Sequence, residues 1–259
     1  MDESNNMKIA GSGTIPTGEY NEIKISGSGS ITGDVKANII KISGSGESRC
    51  NIISDEMRVS GSFNTRSNMN INELLKINGS LDCKGNIKAN DIKINGSLGC
   101  SSNISANNMK VNGGSYVKGD VSFDTLEIRG IIDVEGNCEG REFLGYGGAK
   151  VRGLLSADKI TIITNRDSFI KEIGGEDIII KKRDDKKLSF IFFNPFSRGR
   201  VETDCIEGDN IFVENTICKI LRGNNITVGE GCRIGRIEYL GELTVDENSE
   251  VGERICMKS

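Results

Sequence analysis

The amino-acid sequence predicts an all-β protein built as a triangular parallel β-helix with about 17 residues per coil. The first observation behind this prediction is a repeat: variants of the phrase IKISGSGSITG return along most of the chain, and their first apolar residues are 17 or 18 positions apart. A further unit at Met7 is one residue shorter. The first residues of the other units are Ile23, Ile40, Met57, Leu75, Ile92, Met109, Leu126, Phe143 and Ile160.

The second observation is the pattern inside each unit. Three short segments place apolar or small residues two positions apart, as in a strand with one buried face. In the first full unit these are Ile23 with Ile25, then Ile31, then Val35 with Ala37. Three strands in every unit, stacked in register, predict a solenoid with three faces.

The third observation is the composition of the bends. One column of the repeat holds glycine, at Gly27, Gly44, Gly61, Gly79, Gly96, Gly113 and Gly130. Two other columns hold Asn or Asp, for example Asp34 and Asn38. These residue types tolerate left-handed or sharply turned backbone, so we expect a tight corner at each column.

The pattern predicts four blocks along the chain. Residues 1–6 form a short polar tail, 7–180 the main β-helix block, 181–200 a charged and Phe-rich insertion, and 201–259 a C-terminal β-helix block continuous with the first. The insertion contains KKRDDKK followed by LSFIFFNPFSRGR. We expect its rings to cover one side of the helix; contact with a membrane or a partner is the alternative, through Phe190, Phe192, Phe193 and Phe196.

Composition argues against several classes of function. The chain has no histidine, which removes the usual general base and the commonest metal ligand. Its eight cysteines form no CxxC pair, which favours reduced thiols in the cytoplasm. The net charge of −4 predicts that nucleic acid is not a partner. We expect no catalytic residues, no cofactor, no metal and no small-molecule substrate.

Three segments resemble the bactofilins, and more narrowly the long polymer-forming variants of endospore-forming bacteria. They are IKISGSGSITGDVKA, VRGLLSADKITI (151–162) and IEGDNIFVENTICKILRGNNITVGEGCRIGRIEY (206–239). The resemblance implies a right-handed parallel β-helix that assembles end to end into non-polar, nucleotide-independent filaments. It also implies a scaffold for cell shape, envelope-linked machinery or motility, with itself and membrane- or envelope-associated proteins as partners.

One departure bears on localisation. Many bactofilins carry an N-terminal tail with a membrane-targeting segment, whereas six polar residues precede the first repeat here. We therefore expect a cytoplasmic protein that lies at most peripherally at the inner face of the membrane, without direct N-terminal attachment.

The ends of the solenoid are the expected self-assembly surfaces. A terminal coil exposes unpaired backbone groups and an apolar cross-section, which template another chain unless they are capped. The residues expected there are Met7, Ile9, Ile15, Leu243, Val245, Val251 and Ile255.

An outward column of cations is a second candidate surface. It reads Lys24, Lys41, Arg58, Lys76, Lys93 and Lys110, and then changes to Glu127. Neighbouring charges about 5 Å apart repel by about 0.8 kcal/mol in water. The column is either a solvated face that discourages lateral stacking or a binding stripe for an anionic polymer or lipid headgroups.

Two other classes of protein are weighed against the filament. ITVGEGCRIG (226–235) suggests a hexapeptide-repeat acyltransferase, but such enzymes use a strict six-residue step and a histidine base. A β-helix adhesin or polysaccharide lyase is disfavoured by the missing export signal and the short bends. Cys83 and Cys100 share an inward column and are interpreted as core packing, not as a metal pair.

Overall fold

The structure is a computed structural model, and it describes residues 5–183 and 199–258. Every regular element in these ranges is a β-strand, and parallel strands stack about 17 residues apart, so the predicted all-β solenoid is confirmed. The right-handed sense implied by the resemblance stays a prediction. Contacts divide the chain into an N-terminal unit, Met1–Asp124, and a C-terminal unit, Thr125–Ser259.

Strands of the N-terminal unit alternate between four and eight or nine residues. They are β1 (Asn6–Ile9), β2 (Ser12–Ile15), β3 (Gly18–Ile25), β4 (Ser28–Ile31), β5 (Val35–Ile42), β6 (Ser45–Ser48), β7 (Ile52–Val59), β8 (Ser62–Thr65), β9 (Met69–Ile77), β10 (Ser80–Cys83), β11 (Ile87–Ile94), β12 (Ser97–Cys100), β13 (Ile104–Val111) and β14 (Gly114–Val117). The strand β15 (Val121–Ile128) contains the division between the units.

Strands of the C-terminal unit become longer and then shorten. They are β16 (Ile131–Val134), β17 (Cys138–Gly145), β18 (Gly148–Thr164), β19 (Ser168–Lys182), β20 (Val201–Val213), β21 (Thr216–Val228), β22 (Arg233–Tyr239), β23 (Leu243–Val245) and β24 (Glu250–Cys256). Within this unit β19 pairs in parallel with β20, with Ile178 opposite Ile211. The expected block boundaries stay predictions, and residues 184–198 lie outside the described residues.

The register confirms the columns expected from the sequence. Each strand of the N-terminal unit pairs in parallel with its counterpart one coil later, so that Ile23 lies opposite Ile40 and Ile40 opposite Met57. The side chains of this column are almost completely removed from solvent. Burial of apolar surface contributes about 25 cal/mol per Å², so each such column stabilises the stacking of every coil on the next.

The coil has two strands in the structure where the sequence suggests three. A long strand such as β5 joins the last segment of one coil to the first segment of the next. The paired register skips Asn38, between Ala37 and Ile39, and the Asn38 side chain donates a hydrogen bond to Asn21 Oδ1 of the preceding coil at 3.0 Å. The side-chain amide thus holds the corner in register.

Small and large residues complement one another in the core. Gly46 faces inward, and a β-carbon built on it would lie 2.7 Å from the ring of Phe63 in the next coil. Phe63 is fully buried. The ring therefore occupies the space that the missing side chain leaves, as close packing requires.

The corner glycines do not adopt the expected left-handed backbone. Among the described residues, positive φ is found at Gly231 and, outside glycine, at Asn215. The glycine column is needed for a different reason: a β-carbon on Gly61 would lie 2.0 Å from the carbonyl oxygen of Gly44. Consecutive coils approach too closely at this corner for any side chain.

Candidate assembly edges and cation row

The first coil presents the outer edge of β1 and β2, which we call the N-terminal edge. Met7 is half-buried, whereas Ile9 and Ile15 are buried, at 7% and 0% exposure. Tyr20 occupies the column that holds Ala37 in the next coil, and it is only 5% exposed. Its hydroxyl donates a hydrogen bond to the Pro16 carbonyl at 2.9 Å. The ring helps to close the core at this edge.

The last coil presents the outer edge of β23 and β24, which we call the C-terminal edge. Leu243, Val245 and Val251 are only half-buried there. On their inner side they pair with Ile226, Val228 and Ile234 respectively, all of which are buried. The apolar columns thus continue to this edge and remain partly open to solvent.

Ile255 does not continue an inward column. The register of β24 places Arg254 opposite the buried Ile237, and Ile255 opposite Glu238. Ile255 is 37% exposed. Gly252 lies close to the preceding coil in this strand, since a β-carbon on it would lie 2.4 Å from the Gly235 carbonyl oxygen.

The outward cations of the N-terminal unit lie in one continuous column, which we call the cation row. Pairing extends the row to Lys8, which directly follows the unit start Met7 and lies opposite Lys24. The row's members are exposed or half-exposed, and they are Lys8, Lys24, Lys41, Arg58, Lys76, Lys93 and Lys110.

Carboxylates compensate some members of the row. Lys41 Nζ lies 2.6 Å from Glu22 Oε1, and Arg58 Nη2 lies 2.8 Å from Glu56 Oε2. The hydrogen bond from Lys41 holds the pKa of Glu22 below its ordinary value, against the smaller opposing effect of burial. These ion pairs therefore neutralise the cations of particular coils and not the row as a whole.

The eight cysteines are all free thiols. Cys83 and Cys100 lie opposite each other in adjacent coils, and both are buried. Their mutual hydrogen bond and their burial raise the pKa of Cys83 well above that of an ordinary thiol. Burial also raises the pKa of Cys218 to about 12. Protonated, buried thiols pack as small apolar side chains.

Two other kinds of site were considered in the described ranges: a metal site and a surface depression. They contain no group of three or more Cys, Asp or Glu side chains placed to hold a metal ion. An open depression of about 430 Å³ lies beside Phe212, Thr227 and Asp246. Two carboxylates lining it, Glu214 and Glu230, already bind the backbone N–H and the ammonium of Lys182.

Two sequence expectations concern membranes. The described part of the chain includes no helix of the length and apolarity that spanning a bilayer needs. The residues proposed for membrane or partner contact, Phe190, Phe192, Phe193 and Phe196, lie outside the described residues. Their role stays a prediction.

Comparison with known families finds a match that begins in the N-terminal unit and ends in the C-terminal unit. Residues 49–139 match the family model described as bactofilin, polymer-forming cytoskeletal. This part of the chain is similar to the bactofilins. The resemblance expected from the sequence is thereby confirmed for this segment. The family is cytoskeletal and structural, and its description names no reaction.

Two relatives extend the comparison. The chain is 38% identical over 105 residues to the uncharacterized protein YhbF of Bacillus subtilis, covering 39% of this chain and 41% of the relative. It is 32% identical over 103 residues to the uncharacterized protein YhbE of the same organism, covering 39% and 42%. The chain thus spans about two fifths of the length of these curated relatives. No solved structure matches.

The segment that matches the bactofilin model and the candidate surfaces overlap only in part. Four members of the cation row, from Arg58 to Lys110, lie between residues 49 and 139. The residues of both edges lie outside this range. The assembly role of the edges therefore depends on their own geometry.

Proposed function

We propose that the protein is a cytoskeletal scaffold that self-assembles through its terminal coils into nucleotide-independent filaments. The observation that carries the proposal is the C-terminal edge, where Leu243, Val245 and Val251 continue buried apolar columns but are themselves half-exposed. Among the described residues, no strand pairs with the outer side of β24. An incoming coil would satisfy the free backbone groups and bury the apolar side chains.

The family description supports the same conclusion. A polymer-forming cytoskeletal family match accounts for a repeat array with no evident reaction centre in its described part. The proposed partner is a second copy of the chain, with membrane- or envelope-associated proteins as further partners. The proposed roles are cell shape, envelope-linked machinery or motility.

The proposal puts the filament in the cytoplasm, peripherally at the inner face of the membrane. Eight free thiols support a reducing compartment, since secreted proteins of this cysteine content usually form disulfides. Fractionation of cells that express a tagged full chain tests the location. Recovery in the medium or only as an integral membrane protein would contradict it.

Electron microscopy and light scattering without nucleotide test the assembly. The purified chain is expected to form filaments, and Val251→Lys at the C-terminal edge is expected to shorten or abolish them. Ile53→Lys is the matched control, because Ile53 is 39% exposed in the interior strand β7, away from both edges. The proposal fails if the parent chain stays monomeric at high concentration, or if both variants reduce assembly equally.

A further inference from the structure

The register of the N-terminal unit brings like charges into a line. Parallel pairing places the seven members of the cation row at equivalent outward positions of consecutive coils. Neighbouring strands are about 4.8 Å apart, so the row from Lys8 to Lys110 extends over roughly 29 Å. A line of charge on this scale is much longer than any single ion pair.

Much of this charge has no internal partner. Lys24, Lys76 and Lys93 make no ion pair within 4 Å in the described part of the chain, whereas Lys41 and Arg58 do. Acidic side chains are present on the same face, so the lack of pairing is not a lack of carboxylates in the unit. The row keeps a surplus of positive charge at the surface.

The column two positions before the cations indicates what shape of partner can bind the cation row. The residues two positions before the cations include Glu22, Glu56 and Asp91, with a carboxylate in every second coil. Asp91 accepts a hydrogen bond from Asn108 at 3.0 Å. A flat anionic bilayer would approach both columns and meet these carboxylates. A single chain can follow the cations alone.

We infer that the cation row binds a linear, flexible polymer that carries a phosphate in each repeat and lies along the coils of the N-terminal unit. Such a polymer releases condensed counterions when its phosphates are neutralised, which drives binding and makes it salt-dependent. The net charge of −4 disfavours binding over the rest of the surface. The test of this site is independent of the proposed filament, because Lys76 and Lys93 lie in the interior strands β9 and β11 and not in the terminal coils.

Inorganic polyphosphate is the probe, and binding is measured by calorimetry with the full chain at several salt concentrations between 50 and 200 mM. The test variant is Lys76→Gln/Lys93→Gln. We expect it to bind about tenfold more weakly at the lowest salt and to flatten the slope of log K against log salt by about 1.4, or 0.7 for each lost contact.

The matched control is Lys84→Gln/Lys88→Gln, which removes the same charge from exposed positions of the same unit outside the row. It is expected to bind polyphosphate like the parent chain. Circular dichroism and thermal unfolding verify that both variants fold. Absence of binding by the parent, or equal weakening in both variants, would overturn the inference.

Two further probes identify the source of the phosphate chain. Row-dependent binding of oligothymidylate supports the inference and corrects the expectation, drawn from net charge, that nucleic acid is not a partner. Binding to anionic phospholipid vesicles without binding to polyphosphate overturns it in favour of a planar surface.

Discussion

One corner of the C-terminal unit is turned differently from the glycine corners of the N-terminal unit. In the N-terminal unit, coils of 17 residues bring Gly79, Gly96 and Gly113 so close together that no side chain fits between them. In the C-terminal unit, Val201 lies opposite Thr216, only 15 residues later. The corner before Thr216 uses Asn215 with φ of 47°. Left-handed backbone is thus used at one corner of the shorter coil, in a unit that also has close glycine contacts, such as Gly147 against Gly130.

The units also place charge differently. The cation row stacks like charges over consecutive coils of the N-terminal unit. In the C-terminal unit Glu207, Arg222 and Glu238 occupy consecutive equivalent positions, so the sign alternates. Arg222 Nε lies 2.6 Å from Glu238 Oε2, and Arg222 Nη1 lies 3.7 Å from Glu207 Oε2. Opposite charges therefore pair within the C-terminal column, whereas the N-terminal row stacks like charges and relies on carboxylates of a neighbouring column.

The largest effect is expected from filling a tight corner of the N-terminal unit. In Gly96→Ala the new β-carbon would lie 2.0 Å from the Gly79 carbonyl oxygen, so the coils must separate. We expect a loss of roughly 3 kcal/mol in the free energy of unfolding. Urea denaturation followed by circular dichroism measures it.

Gly114→Ala is the control for this prediction. A β-carbon at Gly114 meets nothing within 4 Å, and the position lies in the same unit. We expect no loss, or a gain of about 0.5 kcal/mol from the reduced entropy of the unfolded chain. Equal destabilisation by the two substitutions would show that close approach is not what selects glycine.

Much of the fold could be predicted because the repeat is strict. Every column from Ile23 to Met109 recurs at a step of 17 residues, except for one step of 18 between Met57 and Leu75, and the period of two inside each segment fixes which side chains point inward. The reason for the glycine column could not be predicted. A glycine in a bend looks the same in sequence whether it provides positive φ or space for a neighbouring carbonyl.

The candidate surfaces were only partly predictable for a similar reason. Lys24 to Lys110 follow from the repeat, and so does Lys8, which stands directly after the unit start Met7 and lies opposite Lys24. The inward position of Arg254 contradicts the usual rule for core columns, so hydrophobicity favoured Ile255 instead. At a terminal coil one face of the core is open, and a charged side chain can occupy a column position without burial.

A smaller effect is expected at the left-handed corner of the C-terminal unit. Asn adopts left-handed backbone at a lower cost than most other residues, because its short polar side chain can hydrogen-bond locally. Asn215→Ala should therefore lower the free energy of unfolding by about 1 kcal/mol, whereas Asn215→Gly should be neutral or slightly stabilising. Thermal unfolding of the two variants measures the difference. Identical melting temperatures would contradict a role for left-handed backbone in closing the short coil.

The smallest effects are expected from the charges, and they should have opposite signs in the two units. Lys76→Gln removes repulsion within the cation row and should stabilise the protein at low salt, by less than about 0.8 kcal/mol per neighbouring cation. Screening should abolish this gain in 1 M salt. Arg222→Gln removes an attraction and should destabilise the protein, as measured by the urea midpoint.

The stability of the same variants at acid pH provides a further test of how the two units differ in charge. Arg222 lowers the pKa of Glu238 from its ordinary value of 4.5, chiefly through their hydrogen bond. A lowered carboxyl pKa contributes stability that is present above that ordinary value and is lost as the pH falls through the lowered value. The parent chain should therefore lose more stability than Arg222→Gln on acidification, whereas Lys76→Gln should follow the parent. A shift of the same sign in both variants at neutral pH would mean that the two units do not differ in how they balance charge.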